Sequence, residues 1–312
     1  MNFGQIYNPN TFEISKFIES VDIDFDVRIE NFEGSQSLKY KFVDDIPKFF
    51  KLQNSNLTST KKSQYIEWVE CIKQQITNQK IIKAVAAQIQ VETEDNQNCL
   101  FEDLFQKLVR AFPQTFVYQL FIDGAIWIGA SPETIGIQKD EKFRTISLAG
   151  TQLHSNKFGA KEENEQKIVS NIISNQLGID SGFISKSSIY QFGEIEHLIT
   201  EYDLAIDEKF NFEQMIHNIH PSPAICGYPK DESKALILDL EPIEREIYTG
   251  LVTISIQPRE KYSFAILRCV KYSANQKVFF AGAGITSGSD PESEWFETLQ
   301  KMHVIKSCLQ SN

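Results

Sequence analysis

The feature that most constrains the fold lies near the end of the chain. There Phe279-Phe280-Ala281-Gly282-Ala283-Gly284-Ile285 is followed by Ser289-Asp290-Pro291, then by Glu294-Trp295-Phe296-Glu297-Thr298 and Lys301. An apolar, strand-like run reaches two glycines that read as a turn, and the turn feeds a helix. Ser289 or Asp290 can cap that helix, because a short polar side chain accepts from the orphan amides of a first turn, and Pro291 suits the first helical position. Glu294, Glu297 and Lys301 then fall at i, i+3 and i+7, on one helical face. Two carboxylates so spaced can hold a hard cation beside an ammonium; taken alone, the same face reads more economically as solvated charge.

Upstream, residues 1–60 are polar and read as irregular, whereas 63–79 and 101–112 carry the 3.6-residue apolar period of helices. An apolar run over 81–91 separates them, with Lys83 inside it. From residue 116 strands dominate. Asp123-Gly124 between 116–122 and 125–129 is a two-residue hairpin signal, and 134–138 and 142–147 form a second hairpin. A helix is expected over 162–177, strands over 188–192 and 197–205, and a short helix over 212–219 stopped by Pro221. Residues 236–248 are mixed in signal and read as helix, followed by strands at 251–257, 263–272 and 277–281. Long antiparallel strands interleaved with helices give an α+β class rather than a doubly wound sheet.

At 312 residues the chain can form one large domain or two modest ones. Its net charge of −11 argues against nucleic acid or an anionic membrane as a main partner, while leaving room for one cationic pocket. Five cysteines without a CxxC pair read as reduced thiols, which points to the cytoplasm. The opening MNFGQIYNPN shows no signal-peptide pattern, and no run of apolar residues is long enough for a membrane span.

Several polar residues break the apolar patterns. Glu165 extends the buried stripe of the 162–177 helix, and Glu162 lies three residues before it. A carboxylate in line with apolar residues is costly unless paired. If this helix start met that of the C-terminal helix, four oxygen donors would surround one magnesium ion. Lys83, within Ile81-Ile82-Lys83-Ala84-Val85, suits a general base if desolvation favours its neutral amine; an edge-strand lysine is the plainer alternative. Glu133 follows a strand directly, and Arg268 interrupts Ala265-Ile266-Leu267-Arg268-Cys269-Val270, where a charge needs a partner, a carboxylate being the natural one. His197 reads as a satisfied core histidine. His217 and His220 are spaced i, i+3, but Pro221 ends their element and no third ligand is near, so a metal reading is rejected.

Together these pieces resemble the chorismate-utilising enzymes, and among them the isochorismate synthases most closely. The resemblance is carried in order by Lys83, Ala130-Ser131-Pro132-Glu133, Ser147-Leu148-Ala149-Gly150-Thr151, Lys161-Glu162-Glu163-Asn164-Glu165, Ile219-His220-Pro221-Ser222-Pro223-Ala224, Glu244-Arg245-Glu246-Ile247-Tyr248-Thr249-Gly250 and the closing block through Lys301. It implies a layered α/β sandwich in which large antiparallel sheets and covering helices surround a central pocket. Residues 1–75 would be a divergent N-terminal part of that fold and 76–312 the chorismate-binding catalytic domain. It implies Lys83 as the base that activates water for attack at C2 of chorismate, and Glu133 as the acid for the departing C4 hydroxyl. Mg²⁺ would be the cofactor, with Glu165 and Glu297 as principal ligands and Glu162 and Glu294 adjacent. Gly150, Thr151, His197, Ala224, Ile225, Tyr248, Arg268, Gly282, Gly284 and Lys301 would contact substrate.

Within the family, Ala149 stands where the aminodeoxychorismate branch has lysine, and Lys83 is absent from anthranilate synthases. The chain departs from the family pattern at Gln88, where arginine is usual, at Gln166, where histidine is usual, and at Thr253, where glycine is usual. The expectation is a magnesium-dependent isomerase, monomeric and needing no glutaminase subunit, whose product serves menaquinone or siderophore synthesis. A salicylate or anthranilate synthase-type lyase and a non-catalytic chorismate-binding regulator are the alternatives.

Overall fold

Antiparallel pairing builds most of the molecule. The computed structural model describes residues 1–310 apart from positions 23, 49, 97–98, 155–156 and 180–186. Four strands open the chain, β1 (Phe3–Asn8), β2 (Glu13–Glu19), β3 (Val27–Glu30) and β4 (Ser37–Val43), where patterning predicts irregular chain. The reason lies in their burial. β2 and β4 each bury a single residue, Phe17 and Tyr40, and their remaining positions are polar or partly exposed. Strands with so narrow an apolar face carry little periodic signal and are held by their neighbours.

Helix α1 (Lys62–Thr77), strand β5 (Lys83–Thr93) and helix α2 (Phe101–Ala111) follow, then the hairpin β6 (Phe116–Ile122) and β7 (Ala125–Ser131). Asp123 and Gly124 both take positive φ, as the tight turn between those strands requires. Next come β8 (Thr134–Lys139), β9 (Lys142–Leu153), α3 (Ala160–Leu177), β10 (Ser188–Phe192), β11 (Ile195–Ala205), α4 (Phe212–Ile219), β12 (Gly227–Tyr228) and α5 (Lys230–Leu240). The helix expected over 236–248 thus ends at Leu240. Pro242 forces the preceding Glu241 into an extended conformation, and the chain continues as turns. β13 (Leu251–Gln257), β14 (Glu260–Ala265), β15 (Cys269–Tyr272), β16 (Gln276–Ile285) and α6 (Pro291–Gln310) complete the chain. Two further expectations need correction. The strand expected over 263–272 is broken in two at Arg268, which has φ +51°. Gly282 and Gly284 do not form a turn; they lie within β16, paired with Ala87 and Val85 of β5.

The strands form one antiparallel sheet in the order β10-β11-β9-β8-β14-β13-β3-β4-β2-β1-β6-β7-β15-β16-β5-β12, which leaves β10 and β12 as edges and closes no barrel. Residues of the first 75 are woven in, since β1 pairs with β6 and β3 with β13. The sheet curls so that distant strands face each other: Phe116 of β6 stacks on Phe264 of β14 with ring centroids 4.3 Å apart. Phe17, Tyr40, Tyr118, Trp127, Val252 and Phe280 fill the space between the layers. Each such side chain contributes roughly 1.5–3 kcal/mol by leaving water. Outer apolar clusters seat α2 and α6 on one side and α3 and α4 on another. α3 packs on β9 and α6 on β16, strands far apart in the sheet order, and the curl of the sheet brings the two helix starts together at the Lys161–Glu294 contact.

Candidate active site

One cavity opens where these helix starts meet the sheet. Glu133, Gly150, Thr151, Glu165, His197 and Ala224 line it, as do Ile225, Tyr248, Arg268, Gly282, Gly284 and Lys301. Lys83, Glu162, Glu294 and Glu297 are not in its lining. Lys83 stands directly behind the wall, and Glu297 reaches the cavity through Lys301.

Local irregularities aim these groups. Opposite β11, the register of β9 shifts so that His197 faces Thr151 and Leu198 faces Ala149, leaving Gly150 as an unpaired bulge with φ +67°. A side chain there would meet the Glu162 carbonyl at 2.8 Å, so the bulge also admits the first turn of α3. Arg268 takes a left-handed conformation that a side chain enters at a cost, and this turns its guanidinium inward. Gly284 clears space of another kind: a Cβ there would lie 2.1 Å from Glu165 Oε1 and 2.6 Å from Lys83 Cε.

Lys83 is fully buried, with its Nζ 2.9 Å from Glu165 Oε1. The contact is ionic and lacks the alignment of a hydrogen bond, which leaves the ammonium without a directed acceptor among the described residues. Lys80, three residues earlier, is exposed. Glu133 is 3% exposed and sits between β7 and β8, with Ser222 Oγ donating to its Oε1 at 3.5 Å. Burial pushes its carboxyl up to about 8, against the opposing pull of Lys83 and Arg268. It therefore carries a proton at neutral pH.

Arg268 has no carboxylate within ion-pair distance among the described residues, contrary to the sequence expectation; its terminal nitrogen donates to His197 Nε2 at 2.9 Å. Burial pulls the guanidinium down to about 10, so it stays charged at neutral pH, and its Nε has no acceptor among the described residues. Because arginine only donates, His197 Nε2 accepts and Nδ1 carries the hydrogen, with Thr151 Oγ1 3.1 Å away. Burial and the neighbouring Arg268 charge hold His197 neutral, well below its ordinary value. Tyr248 is buried beside this group, which keeps its phenol protonated.

The starts of α3 and α6 converge as the sequence suggests, but lysines stand among their carboxylates. Lys161 Nζ lies 2.8 Å from Glu294 Oε1 and 3.6 Å from Glu297 Oε2, while Lys301 Nζ lies 2.8 Å from Glu297 Oε1. Glu162 turns away: its Oε2 accepts from the Gly159 amide at 2.9 Å and caps α3. Asp290 caps α6 by accepting from Ser293 N at 2.9 Å. Glu294 is fully buried, and among the described residues neither of its oxygens has a well-aligned hydrogen-bond donor, although Lys161 and Ser289 lie beside it. Burial, then the neighbouring Glu297 charge, push its carboxyl up, with Lys161 opposing. Burial alone would raise Glu297 too, but Lys301 and Lys161 outweigh it and hold that carboxyl below the usual range. As placed, no set of three metal-ligating side chains converges among the described residues. The donor chemistry nevertheless fits a hard divalent cation: all-oxygen ligands, one orphaned in the interior, with Glu297 beside it and Glu165 on the facing helix.

Sequence reasoning left Lys161 without a role. Its signal was a lysine in the first turn of a helix, where the positive end of the dipole disfavours it. Thr249 and Leu148 also line the cavity, and their sequence context gave no chemical reason to single them out.

The family model described as chorismate binding enzyme matches residues 15–310. Isochorismate synthase EntC of Escherichia coli is 28% identical over 218 residues, 65% of this chain and 56% of that protein. Isochorismate synthase MenF of Bacillus subtilis is 24% identical over 300 residues, 89% of this chain and 62% of that one. The chain thus spans little more than half the length of the curated relatives it matches. The structure of MenF, the menaquinone-specific isochorismate synthase of Escherichia coli, superposes with a TM-score of 0.79 at 19% identity, over 99% of this chain and 89% of that one. That likeness is one of fold, a large antiparallel sheet covered by helices.

Proposed function

The chain belongs to the chorismate-binding enzyme family, and we propose that it is an isomerase of the isochorismate synthase type, converting chorismate to isochorismate with magnesium as cofactor. The observation that carries this reading is the composition of one cavity. A buried lysine behind its wall is set against a buried carboxyl that keeps its proton at neutral pH, beside an arginine that no carboxylate among the described residues pairs with. Names among the relatives support the same reading.

In this mechanism Lys83 works from its neutral amine, having first released to solvent the proton of the ammonium that pairs with Glu165; the amine takes a proton from water as the oxygen bonds to C2 of the ring. Glu133 gives its proton to the C4 hydroxyl, which leaves as water while the ring double bonds shift. One water enters and one leaves, so the reaction is an isomerisation. Arg268, Tyr248 and Lys301 hold the substrate carboxylates by charge and directed hydrogen bonds. His197, neutral and held by Thr151, keeps the guanidinium in place. Gly150, Gly282 and Gly284 let backbone and ring approach, with Ala224 and Ile225 as the apolar wall. Glu165, Glu294 and Glu297, with Glu162 nearby, would hold the magnesium, whose chemistry is to neutralise a substrate carboxylate. Ala149 offers no amine to the ring.

No helix among the described residues is long and apolar enough to cross a membrane. The test is incubation of the purified protein with chorismate and Mg²⁺ and chromatography of the products. Isochorismate without pyruvate is expected. Pyruvate would make the protein a lyase, dependence on ammonia would point to anthranilate, and Mg²⁺-dependent binding without turnover would make it a regulator.

A further inference from the structure

Three lysines meet the acidic cluster, and they are not equivalent. Lys83 is wholly enclosed, and Lys301 is tied down twice, to Glu297 and to the Gly282 carbonyl at 2.9 Å. Lys161 has a side chain 26% exposed, and its ion contacts among the described residues are with Glu294 and Glu297 alone. It occupies the first turn of α3, where a positive charge opposes the helix dipole, and that turn is already capped by Glu162 at Gly159. Nothing in the helix calls for a cation there; the buried acid pair does. Its ammonium lies 2.8 Å from an oxygen of Glu294, the carboxylate that has no well-aligned hydrogen-bond donor among the described residues. A magnesium ion takes its oxygens at about 2.0–2.1 Å. The same ammonium lies 3.6 Å from an oxygen of Glu297, so an ion bridging the two acids through these oxygens would claim the space the ammonium fills, and two cations that close repel.

We propose that Lys161 is an internal counter-ion that stands in the divalent-cation position and is exchanged for the metal, its ammonium swinging to solvent as the ion enters. This rests on the magnesium reading of the same site. The lysine keeps Glu294 and Glu297 from repelling each other in the metal-free chain. It also lowers metal affinity, because every ion bound must displace it.

The test uses the full chain with Mn²⁺ as probe, followed by electron paramagnetic resonance, in wild type and Lys161→Met. The variant is expected to bind Mn²⁺ about tenfold or more tightly, since its metal-free state has lost the competing charge. Its melting temperature in chelator should fall below that of wild type, and saturating metal should close most of the gap. Equal or weaker binding by the variant overturns the proposal. Failure of both proteins to bind Mn²⁺ removes the magnesium reading itself. A second measurement needs no variant: trace acetylation of wild type with and without Mg²⁺, read by mass spectrometry. Lys161 labelling should rise severalfold with the metal while Lys83 stays unlabelled, and unchanged labelling at Lys161 overturns the exchange.

Discussion

Replacing Glu133 by glutamine separates its proposed chemistry from its cost to the fold. The carboxyl titrates at about 8 in the native protein against 4.5 as its ordinary value, chiefly because it is buried. Between those values the native state holds a proton that the unfolded chain has released. The stability linked to this proton is fully present below pH 4.5 and is lost as pH rises through 8. At about 1.4 kcal/mol per unit, the span corresponds to roughly 5 kcal/mol. Glutamine keeps the shape and an acceptor for Ser222 but cannot ionise. Other titrating groups cancel in the difference between the two proteins. Urea denaturation should therefore show Glu133→Gln gaining on wild type as pH rises from 5 to 9, by several kcal/mol in total. Over the same range kcat should be about 10²–10⁴-fold lower, the usual loss for a missing general acid, with KM little changed. A stability difference that stays flat with pH would refute the desolvated, protonated carboxyl, and retained turnover would remove Glu133 as the proton donor.

Three further outcomes follow from the same geometry. Lys83→Ala leaves Glu165 buried without its ion partner, so stability should fall by about 3–5 kcal/mol and turnover should vanish while Mg²⁺-dependent substrate binding persists in calorimetry; full activity would reassign the base. Gly284→Ala should displace both Glu165 and Lys83, lowering kcat by about 100-fold with a stability loss of about 1–3 kcal/mol, and wild-type kinetics would show that this contact is not used. Glu297→Gln should shift the Mg²⁺ titration of activity to much higher concentration, and an unchanged curve would take Glu297 off the ligand set.

Legibility followed the width of each element's apolar face. The β6–β7 hairpin was readable because its strands are buried along nearly their whole length and Asp123-Gly124 suits its turn. β2 and β4 were not, because one buried ring apiece sets no period. Arg268 could be flagged as a charge out of place, yet its left-handed backbone and its histidine partner come from strands that meet only in three dimensions. The end of α5 was available in Pro242 and was outweighed by the apolar residues beyond it.

The sequence by itself determined the α+β class, the helices that bear Glu165 and Glu297, and the motifs that supply many of the residues lining the cavity. Those depend on periodicity, punctuation and motif order, all of which are local. Only the tertiary structure decided that lysines stand between the acids, that Glu162 serves as a cap, and that Gly284 makes room for Lys83 and Glu165. Which charge meets which depends on how β16, β5, α3 and α6 pack. A buried charge is settled by whatever the packing brings within a few ångströms, wherever in the chain that group lies.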